Sequence, residues 1–377
     1  MPSATKTQIT LTLAMILLCA GISSAGEAPL LTDVPNRPGA AAWSPDGARL
    51  AVVQEQNLVL VDVQTNNSHV LPIPRPLFIS WAPGTEILVI TADDHRLLRV
   101  NPDTGSSTTV NLPGTPVGAR WLVADTTMLV VTARSRTMSI GTPAEAHILT
   151  IGPHPPKDIF RWDSMLPTRN PNIDFTTGWV HGRPNPRDDS LLIPEFHKPP
   201  QFPPYLLFRT VDPHTGDVEG LFRLETKKLT GAAAWSPDGR RLALADDEGH
   251  LLLWNEGDED PAAPAKPVSS GIYPSWNPKF DLLHLGGHIL KGDGTLYRRL
   301  VDDSKAIGFW SPDGAGLALI SKGTLTIVSD IDGASLTENP SETRDKIRTL
   351  AGLLHEGLIS DEDYRSRRNR LRAAKGQ

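Results

Sequence analysis

Short apolar runs alternate with polar turn-formers along most of the chain. Between Ala232 and Asn255 the order is "AAAW", "SPDG", "RRLALAD", "DEG" and "HLLLWN". Apolar runs of this length, bounded by Gly, Pro and Asp, read as β-strands joined by tight turns. The opening recurs as "AAWSPDGARLAVV" at Ala41–Val53 and as "GFWSPDGAGLALI" at Gly308–Ile320. The turn has a mechanism in each copy. Pro45, Pro237 and Pro312 fix φ at the first corner of a type I turn. Asp46, Asp238 and Asp313 tolerate the second, and Gly47, Gly239 and Gly314 supply the left-handed residue that closes a bulged hairpin.

The tryptophans give a ruler. Trp43, Trp81, Trp121, Trp235, Trp276 and Trp310 each end a short, largely apolar run. Neighbours stand about 40 residues apart, the period of a repeat fold. The wide gap between Trp121 and Trp235 has room for one enlarged unit, marked by Trp179 in "DFTTGWVHGRPNPRDDSLLIPEF". The units fall at about 39–74, 76–114, 116–152, 172–225, 230–268, 270–303 and 305–338. A four-stranded antiparallel unit cannot bury both faces alone, and radial stacking solves this. The expected fold is all-β: a β-propeller of about seven four-stranded blades, or six if the third or sixth unit is incomplete. "PLLTDVPNRPG" before the first unit reads as a fourth strand that completes the last blade and ties the two chain ends together.

Beyond Pro340 the period changes. Ile347, Leu350, Leu353 and Leu354 fall on one helical face. Gly357 stops that helix, Leu358 and Ile359 fill the corner, and Ser360 caps a second helix with Asp363 three residues on. Tyr364 and Leu371 are its apolar contacts. A hairpin this small needs a partner surface: the propeller, a second copy, or another protein. The second helix carries Arg365, Arg367, Arg368, Arg370, Arg372 and Lys375. The simpler reading is a solvated face with cations near a helix C-terminus. The other is docking to an acidic surface or to anionic lipid heads.

The first residues change the picture of where the chain resides. An apolar run from Ile9 to Ile22, with Lys6 before it and Ser23, Ser24 and Ala25 after it, reads as a secretory signal cleaved after Ala25. The run is short for a membrane span. The organisation read from the sequence is signal peptide 1–25, propeller 26–338 and helical hairpin 339–377. The one cysteine, Cys19, lies inside the signal, where Leu18 before it argues against lipidation. Cleavage leaves a chain without disulfide, thiol chemistry or a Cys-held metal. The net charge of −6 carries no nucleic-acid signature.

The "WSPDG" copies at 43–47, 235–239 and 310–314, with the looser "WAPGTEILVI" and "WNPKFDLLHL", resemble the WD40-like repeats of TolB-type propellers over roughly residues 30–338. The corner "EGLISDEDY" and the close "RRNRLR" resemble the short C-terminal domain called SHOCT, with Arg-Leu-Arg where Lys-Leu-Leu is commoner. The resemblance implies a bacterial envelope protein that works by interaction or assembly, with the tail aiding oligomerisation or docking.

Catalytic signals are weak. No Gly-x-Ser-x-Gly elbow occurs. His284 and His288 in "HLGGH" have helical metal-pair spacing but lie in a strand-rich unit, and read as surface or turn histidines. "SDIDGAS" and "KGDGT" read as hairpin turns, without the spaced oxygens of a calcium loop. Repetition of Asp46, Asp238 and Asp313 in one turn gives them a structural role.

The irregular segments "GPHPPKDIFRWDSMLPTRNPN" (152–172) and "EFHKPPQFPPYLLF" (195–208) read as long loops, where function concentrates. Phe160, Arg161, Trp162 and Tyr205 are the candidate partner-binding residues, being of types common in binding hot spots. The expected function is a secreted or periplasmic scaffold for envelope protein partners. No enzymatic activity, cofactor or nucleic-acid binding is expected from the motifs present. A homo-oligomer through the tail and peripheral membrane contact are compatible with the sequence. The alternative is a hydrolase or small-ligand binder in the propeller channel. Resemblance to lactonases implies a metal held there by Glu, Asn and Asp side chains.

Overall fold

The computed structural model describes residues 29–81, 86–91, 96–112, 114–123, 127–133, 144–150, 157–162, 184–197, 201, 203, 205–224, 229–246, 248–264, 271, 273–331 and 341–373. Each hairpin pairs consecutive strands in antiparallel register, as short turns require. The result is seven sheets in chain order. They span 41–74, 76–110, 115–162, 191–224, 229–255, 275–299 and 307–328, and are blades 1 to 7 of a β-propeller.

Buried strands stack blade on blade. Val53, Leu60 and Ile73 of blade 1 pack on Ile79, Ile87 and Val89 of blade 2. In blade 4, Phe208 and Phe222 stack at 4.7 Å, and Trp254 of blade 5 lies 5.3 Å from Phe222. Ala243, Ala245 and Leu251 of blade 5 meet Trp276, Leu283 and Leu285 of blade 6. Leu282 and Ile289 of blade 6 meet Trp310 and Leu317 of blade 7. The ring then joins its ends: Ala318, Ile320 and Leu325 of blade 7 pack with Leu50, Val52 and Val59 of blade 1. The entry segment adds to blade 7. Leu30 N–H donates to Leu325 O, Leu325 N–H to Leu31 O (both 2.9 Å), and Val34 N–H to Gly323 O (3.0 Å).

The repeated turns are small hydrogen-bonded boxes. Ser44 Oγ donates to Asp46 Oδ1 (2.5 Å) and accepts from Arg49 N–H (2.8 Å); Asp46 Oδ1 also accepts from Ala48 N–H (3.0 Å). Ser236 with Asp238, and Ser311 with Asp313, repeat the arrangement. Gly47, Gly239 and Gly314 sit at φ 72°, 70° and 78°. Trp43 Nε1 donates to Phe309 O and Trp310 Nε1 to Ser275 O, each 2.8 Å and each on the preceding blade. Trp43 and Trp310 thus pin blades 1 and 7 to their neighbours, whereas Trp235 Nε1 and Trp276 Nε1 are buried without a hydrogen-bond partner among the described residues.

Three sequence expectations change. Blade 4 takes its turn from Asn185–Ser190, where Asn185 N–H donates to Ser190 O (2.9 Å) as Ser236 N–H does to Arg241 O (2.9 Å). Its described strands therefore correspond to the second, third and fourth of a blade, and Trp179 lies outside the described residues. Residues 157–162, read as loop, form the outermost strand of blade 3, and 195–197 and 205–208, read as parts of a second loop, lie in two paired strands of blade 4. His284 is fully buried, not a surface or turn residue: its ring lies against Gly308 of blade 7, where an added Cβ would come within 2.7 Å of it.

Helices α1 (Ser341–His355) and α2 (Asp361–Ala373) form the tail. Gly357, at φ 72°, ends α1: its N–H donates to Leu354 O (3.0 Å), and Leu358 N–H to Leu353 O (2.9 Å). Ser360 Oγ accepts from Asp363 N–H (3.1 Å) and so caps α2. Leu358 does not fill the corner; it is 66% exposed, while Ile359 is half-buried. Among the described residues no helix is long and apolar enough to cross a membrane.

Candidate functional site

The densest set of charged side chains lies where the tail meets blade 4. Two turns build its floor. Leu191 pairs with Val211, and Val211 with Val218, so Asn185–Ser190 and Asp212–Asp217 lie side by side at one end of the sheet. Each turn is held by its own side chains. Asp212 Oδ1 accepts from His214 N–H (2.7 Å), and Asp188 Oδ1 from Ser190 N–H (2.9 Å). This leaves Asp188, Asp189, Asp212 and Asp217, with Glu219 on the next strand, aimed at the tail.

The tail answers with arginines at helical spacing. Arg365, Arg368 and Arg372 occupy one face of α2, since positions three and four apart are neighbours. Arg365 makes a paired contact with Asp217 (2.6 and 3.0 Å). Arg368 Nη1 meets Asp212 Oδ2 at 3.0 Å, with both side chains buried. Arg372 donates to Asp188 and reaches Glu219 at 3.4 Å. From α1, Arg348 grips Asp189 through two bonds (2.5 and 3.0 Å). Arg187 extends the seam, bonding Glu256 (2.9 Å) and the Arg372 carbonyl (3.4 Å). These cations are not a solvated face; three of those on α2 bind the chain's own propeller. Arg367 and Arg370 do stay exposed.

At the centre lies a buried cluster. Tyr364 is 0% exposed and His214 2%. His214 Nδ1 lies 3.0 Å from His355 Nε2 of α1, and the His214 ring meets Tyr364 edge-on at 6.1 Å. Burial pushes His214 down to about 4. Asp212 opposes that shift, while His355, Arg368 and Arg348 add to it. Burial, then the Asp212 charge, push the Tyr364 hydroxyl up. Burial lowers Arg372 to about 10, helped by Arg187. The Arg365 bond holds Asp217 below the usual carboxylate range. Ile347 and Ala351 of α1 supply the apolar part of the joint.

Chemically, this is a seat for an arginine-bearing helix. The sequence showed the arginines, but the carboxylates come from two separate turns, "NPRDDS" and "DPHTGD", that only strand pairing brings together. The complementary charge of these segments was the signal available.

The other candidates lie elsewhere. Phe160, Arg161 and Trp162 sit on the outermost strand of blade 3, paired with Ala146, Glu145 and Ala144. Tyr205 opens a strand of blade 4, half-buried, with the Arg223 guanidinium 3.9 Å over its ring. They belong to different blades and form no common site among the described residues. Among the described residues one cluster has metal-ligand chemistry: Asp246, Glu248 and His250 on a blade 5 turn, with His250 Nδ1 2.9 Å from Asp246 Oδ2. Asp246 Oδ1 accepts from the N–H groups of Glu248 and His250, so this carboxylate is the staple of its own turn.

No protein-family model matches the chain, and no curated protein matches it. Solved structures do. A chain of Kuenenia stuttgartiensis hydrazine synthase is 15% identical, with a TM-score of 0.55, covering 79% of this chain and 96% of that one. The β-propeller domain of Myceliophteria thermophila Cps50 (Swd1) is 14% identical, with a TM-score of 0.46, covering 81% of this chain and all of that one. At such identities the likeness is one of fold, and a fold shared this widely selects no activity.

Proposed function

We propose that the protein is an interaction scaffold of the bacterial envelope, working by holding helical or extended segments of partner proteins against its blades. The observation that carries this reading is the seat on blade 4. Five carboxylates from two turns and a strand hold the arginines of both helices: Asp188, Asp212, Asp217 and Glu219 meet α2, and Asp189 meets Arg348 of α1. A ring of blades presents many such turn surfaces, and fold-level use of propellers as platforms agrees with this. The signal-like start supports an envelope setting, and the tail fits the SHOCT-like reading of a docking element.

The test is chemical cross-linking in intact cells, followed by capture of the full-length chain and of a chain ending at Pro340. The expected result is a stoichiometric protein partner. Its loss with the tail would assign docking to the helices. Its loss on replacing Phe160 and Trp162 by Ala, with the fold intact, would assign docking to blade 3. A partner-free propeller that carries a stoichiometric divalent ion would overturn the scaffold reading in favour of a channel-site hydrolase.

A further inference from the structure

We propose that the tail is a clasp on blade 4 that acid releases, with the His214–His355 pair as the sensing group. The pair is a contact between two imidazoles, Nδ1 to Nε2 at 3.0 Å. One ring must donate and the other accept, so at least one must be neutral. A second proton leaves two donors facing each other and puts a charge on buried His214 beside that of His355.

The surroundings oppose that second charge. Of the two acids on the turn that carries His214, Asp212 acts on it, is engaged by Arg368 at 3.0 Å and faces Tyr364, while Asp217 is held by Arg365. From α1 come His355 and Arg348; from α2 come Arg368 and Tyr364. Arg348 is itself held by Asp189. The net effect of these neighbours and of burial is to hold His214 neutral, which agrees with its fall to about 4.

The sign follows from proton counting. A released His214 titrates near its ordinary value of about 6.5, and the docked one near 4. Between these values the released state binds more protons. Docking is therefore complete above about pH 6.5 and weakens as pH falls, by up to about tenfold per unit, until about pH 4.

The tail joint is also ionic, and it leaves Ser190 Oγ, Arg344 Nε and Arg368 Nε buried without a hydrogen-bond partner among the described residues. Such groups weaken an interface relative to an apolar one. A second buried imidazole lies in the ring: His284, between blades 6 and 7, which burial also lowers to about 4. Blades 1 and 2, joined through an apolar cluster, are therefore the reference for the tail. Release uncovers the carboxylates of blade 4 and frees the arginine face of α2.

The experiment is hydrogen exchange on the full chain from pH 7.5 to 4.5, corrected for intrinsic exchange, in wild type, His214→Gln and His355→Gln. The expected result is that 361–373 loses protection by about tenfold per unit below pH 6.5 while strands of blades 1 and 2 keep theirs. His214→Gln should keep α2 protected at pH 4.5. His355→Gln keeps His214 buried and should keep most of the acid loss. Should His214→Gln fail to dock at pH 7.5, the wild-type slope decides: uptake of about one proton supports the clasp, and several protons overturn it. A flat wild-type profile, equal acid loss in docked His214→Gln, or simultaneous loss from the tail and from blades 1 and 2 would each overturn it.

Discussion

Asp313 shows how one residue holds a blade. Its carboxylate accepts from Ser311 Oγ and Ala315 N–H, and the Ser311 bond, the largest cause, holds it below the usual carboxylate range. Its contribution is present above the ordinary carboxylate pKa and fades as pH falls through the lowered one. Asp313→Ala should lower stability by about 1–2 kcal/mol, while Asp313→Asn, which keeps one acceptor, should cost less. Gly314 is less forgiving. At φ 78° a side chain is strained, and an added Cβ would meet Asn277 Oδ1 at 2.4 Å. Asn277 also donates to Gly314 O (2.8 Å). Gly314→Ala should therefore cost about 1–3 kcal/mol. Urea midpoints would rank the three variants, and a Gly314→Ala midpoint equal to wild type would refute the strain argument. Repetition exposed Ser, Asp and Gly of this turn to a reader of the sequence. It hid the Asn277 partnership, and the matching one from Asn185 to Gly239 O (3.1 Å), because each Asn acts on the next blade.

At the scale of the element, the tail separates buried from exposed charge. Arg368 and Asp212 are 7% and 1% exposed in their side chains, so Arg368→Ala strands a buried carboxylate. The expected cost to docking is about 3–5 kcal/mol, enough to free the hairpin. Arg365 and Asp217 are close to half exposed, and Arg365→Ala should cost less than about 1 kcal/mol. Arg367→Ala, on the exposed face, should do nothing measurable. Protection of α2 against exchange would read all three, and equal effects at 365 and 368 would show that burial does not set the strength of the seam. The helices themselves were legible. Leucine spacing, Gly357 and the Ser360 cap are local signals, and local signals survive without the fold. Which face of α2 is covered was not legible. Alternate arginines look solvated until the acids of 185–190 and 212–217 are brought opposite.

At the scale of the molecule, the repeat period foretold seven sheets because turn chemistry and strand length recur with it. It misjudged three places: the outer strand at 157–162, the tryptophan-free turn at Asn185, and the burial of His284 between blades. Closure is where the whole ring is most exposed to a single change. Val34 is 1% exposed and packs with Ala40 and Leu325, while its N–H bonds Gly323 O. Val34→Asp places a carboxylate without a cation in that seam, and should cost several kcal/mol. Val70, on the outer strand of blade 1, is 60% exposed, and Val70→Asp should cost less than about 0.5 kcal/mol. If the entry segment locks the ring, Val34→Asp will lower the melting temperature and speed exchange in both 324–328 and 41–43, on the two sides of the seam. Faster exchange confined to 30–34 would mean that the segment is an ornament on a ring held by the apolar contact of blades 7 and 1 alone.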